Sequence, residues 1–338
     1  MKAAVTIVTP TKNRLALLRE TMDSVAAQDF ADWEHLVVDD GSDDGSVEEV
    51  ARRAAADPRV RLIRREGPKS GANVCRNLAV AQAQGEFVIF LDSDDLLRPG
   101  ALNERVAFMR RNTDLSFAVY PAGVFTQKAG DMDRLYHPMT PGDDLLRFLS
   151  HECVWEITGP IWRRDYLRQI GGLDESLFSM QDLEMHVRAI CGGGHYLFVP
   201  GPDHDIRWQF DLTKTSARHF RDPQFIQASM AIAGKLYETV RGAGLLTWSR
   251  RRAVGGLVFS IAQNWVRAGR LGDARRAWDS GSRRVAIPGH IRLAGTVMLF
   301  LSSLSGNESS LPSRIVNKWK GLVRFRQEPA VAAAGSSQ

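Results

Sequence analysis

Three aspartates stand close together directly after an apolar run. Asp92, Asp94 and Asp95 fall within four residues, with Ser93 between the first two. Carboxylates this dense repel one another, and a hard divalent cation such as Mg²⁺ or Mn²⁺ offsets the repulsion. Because such a cation takes few carboxylates and completes its shell with phosphate oxygens, the loop predicts a metal-held diphosphate. The alternative is an N-cap for the helix that follows, which accounts for one aspartate better than for three.

A second acidic loop follows another apolar run. Asp39, Asp40, Gly41 and Ser42 come directly after residues 35–38. Carboxylates in this position can accept hydrogen bonds from a nucleotide base or a ribose, and Gly41 permits a tight turn. The alternative is an ordinary acidic turn that caps the next helix.

Alternating strands and helices must position both acidic loops. The patterns predict strands at 4–8, 35–38, 60–63 and 87–91, and helices at 15–27, 47–56 and 73–84. This order predicts an α/β fold with a mostly parallel sheet and right-handed crossovers. Ligands on such sheets bind beyond the carboxyl ends of the strands, which is where the acidic loops lie.

The C-terminal third of the chain has helical periodicity instead. One apolar stripe at i, i+3, i+4 and i+7 spacing contains Val254, Leu257, Val258, Ile261 and Trp265. A boundary near Asp222 and Pro223 is therefore predicted. It separates a domain at 1–222 from a helical region at 223–328, and a disordered tail follows at 329–338.

Composition argues against several classes of protein. Cys75, Cys153 and Cys191 lie far apart without CxxC spacing, which argues against a disulfide framework and against structural zinc. The first apolar run is too short for a signal peptide, so a cytoplasmic location is expected. The apolar stretch 293–304 is shorter than the roughly 20 residues that span a bilayer, and it predicts a buried or interfacial helix.

Charge is distributed unevenly along the chain. The net charge is +5, yet from Arg241 onward 16 Lys and Arg face only 4 Asp and Glu. A basic region of this kind attracts an anionic partner, which could be nucleic acid, phospholipid or a phosphate-bearing acceptor. Residues 314–324 mix basic and apolar side chains as amphipathic helices at membrane surfaces do. The alternative is a solvated basic helix surface.

Short motifs occur in a fixed order over about the first 210 residues. They are Pro10-Thr11-Lys12-Asn13-Arg14, Val37-Val38-Asp39-Asp40-Gly41-Ser42, Gly71 with Arg76-Asn77, Gly85-Glu86-Phe87, Leu91-Asp92-Ser93-Asp94-Asp95, Gly171-Gly172-Leu173-Asp174-Glu175 and Gln181-Asp182. Their order and spacing resemble family 2 inverting glycosyltransferases of the GT-A fold. The resemblance implies a Rossmann-like sheet and transfer of a sugar from a nucleotide diphosphate donor.

The resemblance also implies roles for individual residues. Asp182 would be the general base that deprotonates the acceptor hydroxyl. Asp92 and Asp94 would form the DXD pair, with Asp94 as the direct ligand of Mn²⁺ or Mg²⁺, and Arg76 would assist at the base or the diphosphate. The nucleotide base and ribose would be lined by Pro10, Thr11 and either Asp39 or Asp40. The other residues assigned to the substrate site are Asn13, Arg14, Asn77 and Ser93.

A few positions carry alternatives. Gln181 replaces the usual Glu before Asp182, and without the resemblance Asp182 would be assigned as a helix N-cap. His204 and Arg207 lie in a segment similar to the QxxRW motif of processive synthases, but His204 replaces its Gln. Arg207 would contact the donor phosphates, and His204 would be a third metal ligand unless it is structural. Trp155 would stack on an acceptor ring unless it is a core tryptophan.

The expected function is inverting transfer of a hexose-type sugar from a UDP-sugar to a saccharide or lipid-linked saccharide in cell-envelope synthesis. A sugar nucleotidyltransferase would need a glycine-rich phosphate loop, and residues 10–14 contain no glycine. A second alternative is a non-catalytic protein that binds nucleotide sugars or anionic surfaces. Nucleic acid is not expected as a partner, since no basic motif of a known reader is present. The helical region is expected to dimerise or to contact the inner face of the cell membrane.

Overall fold

A computed structural model describes residues 3–137, 140–208 and 222–304 of the 338-residue chain. The chain divides into two compact units, one formed by residues 1–139 and 153–211 and the other by residues 140–152 and 212–338. The predicted boundary at 222 and 223 did not anticipate that residues 140–152 group with the second unit. The predicted tail at 329–338 and the amphipathic segment 314–324 lie outside the described residues.

The described strands all belong to the first unit. In chain order they are β1 (Val5–Thr11), β2 (Trp33–Asp39), β3 (Val60–Arg64), β4 (Phe87–Phe90), β5 (Leu96–Leu97), β6 (Phe117–Val119), β7 (Ala122–Phe125), β8 (Met132–Leu135), β9 (Pro160–Arg163), β10 (Tyr196–Phe198) and β11 (His204–Arg207).

The described helices occur in both units. Those of the first unit are α1 (Leu15–Ala26), α2 (Ser46–Ala56), α3 (Ala72–Gln82), α4 (Ala101–Arg111), α6 (Arg164–Gln169) and α7 (Gln181–Cys191). Those of the second unit are α5 (Asp144–Leu149), α8 (Pro223–Gly242), α9 (Trp248–Arg267), α10 (Leu271–Arg284) and α11 (Gly289–Ser303).

The main sheet has seven strands in the order β10-β6-β9-β4-β1-β2-β3. Neighbours among β4, β1, β2 and β3 pair in parallel, which confirms the predicted mostly parallel α/β sheet. Strand β9 runs antiparallel to both β4 and β6. A smaller sheet in the order β5-β11-β7-β8 was not predicted, because its strands are only two to four residues long and lack a clear periodicity.

The core of the first unit is formed around the middle of the main sheet. Strands β1 and β2 are buried at every position, and β4 is buried along its whole length. Each fully buried Val, Leu, Ile or Phe side chain contributes about 1.5–3 kcal/mol of hydrophobic free energy. This packing fixes the strand ends from which the polar loops emerge.

Strand register brings the acidic loops to one edge of the sheet. Thr11, at the end of β1, pairs with Asp39 at the end of β2, and Val8 pairs with Phe90 of β4. The three loops after these strands therefore leave the sheet side by side. Gly45 closes the loop after β2 with φ +91°, a left-handed conformation that glycine adopts without strain, and α2 begins at the next residue.

The second unit is helical in the part that the structure describes. All members of the predicted apolar stripe on α9 are buried. Asp222 caps α8 by accepting a hydrogen bond from the Gln224 backbone N–H at 3.0 Å, and Pro223 opens the helix. Among the described residues, no helix combines the length and the apolar character that a membrane crossing requires.

Candidate active site

The loop after β4 is held by three arginines. Arg76 Nη2 donates to Asp92 Oδ1 at 2.5 Å, and Arg14 Nη1 donates to Asp94 Oδ2 at 2.6 Å. The backbone N–H of Arg207 donates to Asp95 Oδ1 at 3.0 Å. These contacts offset part of the repulsion that the sequence predicts for the acidic cluster.

Asp95 differs from the other two aspartates of this loop. Its side chain is buried, and burial, followed by the negative charges of Asp94 and Asp92, raises its pKa well above the ordinary value. Its backbone carbonyl accepts a hydrogen bond from Thr21 Oγ1 of α1 at 2.9 Å. Asp95 therefore fastens the loop to α1 and β11. The N-cap alternative for this loop is wrong, because α4 begins at Ala101 with Gly100 as its cap.

The loop after β2 is ordered by its own carboxylates. Asp39 accepts hydrogen bonds from the backbone N–H groups of Gly41 and Ser42 at 3.0 and 3.1 Å. Asp40 pairs with Arg65 and accepts from the Gly71 N–H at 3.0 Å. Neither aspartate caps α2, so the structure does not support the capping alternative.

The loop after β1 contributes an unsatisfied hydroxyl. Thr11 is buried, and its Oγ1 has no hydrogen-bond partner among the described residues. Asn13 lies farther along the loop, where its Oδ1 accepts from the Asp43 N–H at 2.8 Å and its own N–H donates to Ser42 Oγ at 2.9 Å. The Thr11 hydroxyl thus has unused hydrogen-bonding capacity, whereas Asn13 joins the first two loops to each other.

Arg76 is the most informative side chain of the site. It lies on α3 and is 3% exposed, and only its Nη2 has a hydrogen-bond partner within the described part of the chain. Nε and Nη1 are buried without an acceptor. An unpaired buried donor costs about 1–3 kcal/mol, more for a charged group, so the arrangement favours an anionic ligand that accepts from Arg76.

Asp182 lies on α7 within electrostatic reach of this arginine. Burial raises the pKa of the Asp182 carboxyl, Arg76 acts to lower it, and Asp92 acts to raise it. Its Oδ1 accepts from the Leu183 N–H at 2.8 Å. The N-cap alternative for Asp182 is wrong, because α7 begins at Gln181 and Met180 is the cap residue. The fold therefore brings Asp182, Arg76 and Asp92 together.

Two asparagines of α3 hold the loop that leads to α7. Asn73 Nδ2 donates to the carbonyls of Asp174 and Leu177 at 2.9 and 2.8 Å. Asn77 Nδ2 donates to the Leu173 carbonyl at 2.8 Å, and Asn77 Oδ1 accepts from the Leu173 N–H at 2.9 Å. Both ends of the Asn77 amide bind the loop, which gives this residue a structural role, and its substrate role stays a prediction. Sequence reasoning missed Asn73, since nothing in its spacing indicates a distant partner.

Arg188 of α7 also binds this loop. Its guanidinium donates to the carbonyls of Ile170 and Gly172, the second at 2.8 Å, and pairs with Glu184 at 2.9 Å. The loop is thus fastened to α3, which carries Arg76, and to α7, which carries Asp182. These contacts set the position of Asp182 relative to Arg76.

Replacing Asn77 with Ala is expected to lower kcat by about 10- to 100-fold, because misplacing a reacting group by about 1 Å can cost that much. Donor KM should change less than threefold or so, since Arg76 keeps its place on α3. Steady-state kinetics with donor and acceptor varied separately measures both effects. Asn112→Ala is the matched control, because Asn112 Nδ2 contacts only the Phe108 carbonyl of its own helix among the hydrogen bonds described. An unchanged kcat in Asn77→Ala would contradict the positioning role.

His204 does not fit the predicted role of a third metal ligand. It is fully buried, with Nδ1 at 2.8 Å from Asp203 Oδ1 and Nε2 in contact with Glu156 Oε1. Burial acts to lower the pKa of His204, but Glu156 and Asp203 outweigh it and raise the pKa to about 9. Both ring nitrogens are thus engaged by neighbouring side chains, and neither is directed at Asp92 or Asp94. Among the described residues, no group of three or more His, Cys, Asp or Glu side chains is arranged to hold a metal.

Trp155 is a core residue, so its predicted stacking on an acceptor ring is wrong. It is 2% exposed, and its ring lies 5.4 Å from those of His186 and Tyr196 and 5.5 Å from that of Phe198. Neither face of its indole ring is therefore accessible to a sugar.

Arg207 belongs to the site but is engaged by the protein. Arg207 Nη2 donates to Glu20 at 2.6 Å, and its Nε donates to the Asp94 carbonyl at 3.1 Å. The predicted contact with donor phosphates would require it to leave Glu20. The next residue, Trp208, is 47% exposed and stacks with Arg134 at 5.3 Å. Sequence reasoning gave Trp208 no role.

Comparison with known proteins identifies the domain that carries this site. The model of the family described as Glycosyl transferase family 2 matches residues 6–170. This segment contains the three loops, Arg76, Asn73 and Asn77. Residues 6–170 belong to glycosyl transferase family 2. The match ends before Asp182, so the family 2 segment itself does not include the candidate base.

Two curated relatives of this chain are bacterial glycosyltransferases. A Campylobacter jejuni GalNAc(5)-diNAcBac-PP-undecaprenol β-1,3-glucosyltransferase is 40% identical over 97 residues, which cover 29% of this chain and 31% of the relative. An Escherichia coli UDP-Glc:α-D-GlcNAc-diphosphoundecaprenol β-1,3-glucosyltransferase, WfgD, is 36% identical over 113 residues, which cover 33% of this chain and 43% of the relative. The chain thus spans less than half the length of these two relatives.

Solved structures show the fold of the chain. Residues 1–349 of Staphylococcus aureus TarS, in complex with UDP-GlcNAc, superpose with a TM-score of 0.66 at 20% identity, covering 90% of this chain and 91% of that one. At this identity the likeness establishes the fold alone. It confirms the predicted GT-A architecture.

Two carboxylates of the family 2 domain fit a divalent metal. The side chains of Asp92 and Asp94 remain 36% and 15% exposed although each is paired with an arginine. Their hard oxygens are the donors that Mg²⁺ or Mn²⁺ prefers, and such an ion needs only one or two carboxylates when phosphates supply the rest. The residues present therefore suit a metal that arrives with a nucleotide diphosphate.

Proposed function

We propose that the chain is an inverting glycosyltransferase that moves a sugar from a UDP-sugar to an acceptor hydroxyl. The observation that carries the proposal is Arg76, whose buried Nε and Nη1 have no acceptor among the described residues and lie in a site shared with Asp92 and Asp182. An anion would accept from these nitrogens, and a diphosphate leaving group supplies one. Membership of family 2 supports the same reaction class.

The donor side of the site is formed by the three sheet-edge loops. Pro10 and Thr11, the last two residues of β1, would contact the nucleoside, next to the loop that Asp39 orders. In support, the buried Thr11 hydroxyl has no hydrogen-bond partner among the described residues. Asp92 and Asp94 would hold Mg²⁺ or Mn²⁺ together with the diphosphate. Support for uridine comes from the structural neighbour TarS, solved with UDP-GlcNAc, and from the WfgD relative named for UDP-Glc.

The reaction needs one base and stabilisation of one leaving group. Asp182 accepts the proton of the acceptor hydroxyl as that oxygen attacks the anomeric carbon from the face opposite the diphosphate. The bond between the anomeric carbon and the diphosphate oxygen breaks, and a single displacement inverts the configuration. The negative charge that develops on the diphosphate is stabilised by the Arg76 guanidinium. The metal, when bound, adds Lewis-acid stabilisation of that same charge.

The acceptor is proposed to be a saccharide or a lipid-linked saccharide of the cell envelope. This part of the proposal rests on the two relatives, whose names specify undecaprenol-linked acceptors.

A panel of UDP-, GDP- and dTDP-sugars with Mn²⁺ or Mg²⁺ tests the function by nucleotide release. We expect metal-dependent UDP release, and product anomers of inverted configuration by NMR. Arg76→Met should weaken donor affinity by about 10- to 100-fold, since charge-assisted hydrogen bonds contribute about 1.5–3 kcal/mol. The control is Arg110→Met, because Arg110 is half-exposed and lies 3.9 Å from Glu86.

Other outcomes would distinguish the alternatives. Release of pyrophosphate from a nucleoside triphosphate and a sugar phosphate would indicate a nucleotidyltransferase. Donor binding without turnover of any acceptor would indicate a non-catalytic binding protein. If no nucleotide sugar binds, or if Arg76→Met binds it as well as the wild type does, the proposal is wrong.

A further inference from the structure

Helix α11 exposes a continuous apolar face. Leu293, Val297 and Phe300 are 69%, 47% and 54% exposed, and Leu304, directly after the helix, is 58% exposed. Spacings of four, three and four residues place all four side chains on one side of the helix. Large apolar side chains exposed singly are common in proteins, but an aligned row of four indicates a surface that meets another apolar phase.

The opposite side of α11 is anchored to the second unit. Gly295 lies so close to the Trp278 ring that a Cβ atom would approach it to 2.3 Å, and Leu299 is 1% exposed. Trp278 Nε1 donates to the Arg292 carbonyl at 2.9 Å, and Gln263 Nε2 donates to Ser302 Oγ at 3.0 Å. These contacts fix the rotation of the helix about its axis, so the apolar row is held facing outward.

The net charge of the helical region indicates which kind of apolar surface this face meets. Residues 241–304 contain 11 Arg and only 2 acidic residues, and α11 has no acidic residue. The exposed Arg276 and Arg283 of α10 pair with the two acidic residues, Asp273 and Asp279, and His290 is exposed at the start of α11. Apolar side chains presented by a strongly basic helical region match the chemistry of an anionic phospholipid surface.

The size of the face argues against a second copy of the chain as the occupant. Four side chains that each expose roughly 100 Å² offer about half of the ~800 Å² that each partner buries in a stable complex. The helix of 15 residues is also too short to cross a bilayer, but it is long enough to lie along one.

We propose that α11 docks the protein onto anionic membranes, with Leu293, Val297, Phe300 and Leu304 inserted among the lipid chains below the headgroups. The exposed arginines of the helical region contact the phosphates of the lipid. This inference concerns a surface of the second unit and does not depend on the activity proposed for the first.

Co-sedimentation with lipid vesicles tests the docking without donor or acceptor. The full chain is mixed with vesicles of phosphatidylglycerol and phosphatidylethanolamine, or of phosphatidylcholine alone, at two salt concentrations. We expect binding to the anionic vesicles that weakens with salt, and little binding to phosphatidylcholine. The double variant Leu293→Gln/Phe300→Gln should bind the anionic vesicles at least about tenfold more weakly, because two inserted side chains are lost.

The matched control changes the same residue types elsewhere. Leu197 and Phe178 are each 49% exposed in the first unit, and Leu197→Gln/Phe178→Gln should bind vesicles as the wild type does. Circular dichroism establishes that both double variants are folded, and the single variants Leu293→Gln and Phe300→Gln give an independent measure of the same loss.

Three results would overturn the proposal. The first is a folded wild-type protein that does not co-sediment with anionic vesicles. The second is a Leu293→Gln/Phe300→Gln variant that binds them as well as the wild type does. The third is a wild-type dimer in sedimentation analysis that this variant dissociates, in the absence of any vesicle binding, which would assign the face to a second copy of the chain.

Discussion

Asp182→Asn is expected to lower kcat by about 10²- to 10⁴-fold, which is the range that a positioned general base contributes. The carboxamide has nearly the same shape as the carboxylate but cannot take the proton of the acceptor hydroxyl. Donor KM should stay within about threefold of the wild-type value, because the substitution removes a group that acts only in the transition state. Single-turnover and steady-state kinetics with a saturating donor measure the effect.

The pH dependence of kcat gives a second readout of the same residue. Burial raises the pKa of Asp182 above the ordinary value of 3.8. The base must be deprotonated to act, so kcat should fall as the pH falls through this raised pKa. The acidic limb of the profile should therefore lie above pH 3.8 in the wild type and disappear in Asp182→Asn.

Asp165→Asn serves as the matched control for Asp182→Asn. Asp165 lies on α6 with its side chain 88% exposed, and we expect no change in kcat or in the pH profile. If Asp182→Asn retained most of the wild-type kcat, another group would have to be the base, and the assignment made from the Gln181-Asp182 motif would fail.

Asp94→Ala is expected to abolish most of the metal-dependent turnover. Loss of a metal ligand at the leaving group should cost about 10²- to 10³-fold in kcat, comparable to the loss of one strong charge-stabilising contact. The concentration of Mn²⁺ that gives half-maximal activity should also rise. Metal titrations of UDP release in wild type and variant measure both changes.

The same variant should remain folded, which makes its kinetics interpretable. The Arg14 side chain is 37% exposed, so leaving it unpaired costs little, within the ~0–1 kcal/mol of surface ion pairs. Asp92 would be a poorer choice for this test, because its removal leaves the buried Arg76 without the carboxylate to which it is hydrogen-bonded. Asp114→Ala, at an exposed loop position, is the control. Metal dependence in Asp94→Ala identical to the wild type would contradict a ligand role for Asp94.

The sequence by itself determined the sheet and the place of its polar loops. Strands β1, β2 and β4 are buried because both faces of the central sheet are covered. Strands covered on both faces have continuous apolar sequences, so the sequence predicted them. The apolar stripe of α9 was also predicted from the sequence, because apolar residues repeat with the 3.6-residue period of a helix on its buried side. Local periodicity thus predicted the sheet edge where Asp39, Asp92 and Asp94 meet.

Only the tertiary structure decided what the individual polar side chains do. Asn77 and Trp155 were assigned to substrate, yet Asn77 binds a loop 96 residues away and Trp155 lies in an aromatic core. His204 was considered as a metal ligand, yet its ring nitrogens contact Glu156, 48 residues away, and Asp203. Conversely, the unsatisfied N–H groups of Arg76 became visible only once its surroundings were known. Periodicity in the sequence indicates whether a side chain is buried. Its hydrogen bonds and charge interactions depend on partners that folding brings from distant parts of the chain.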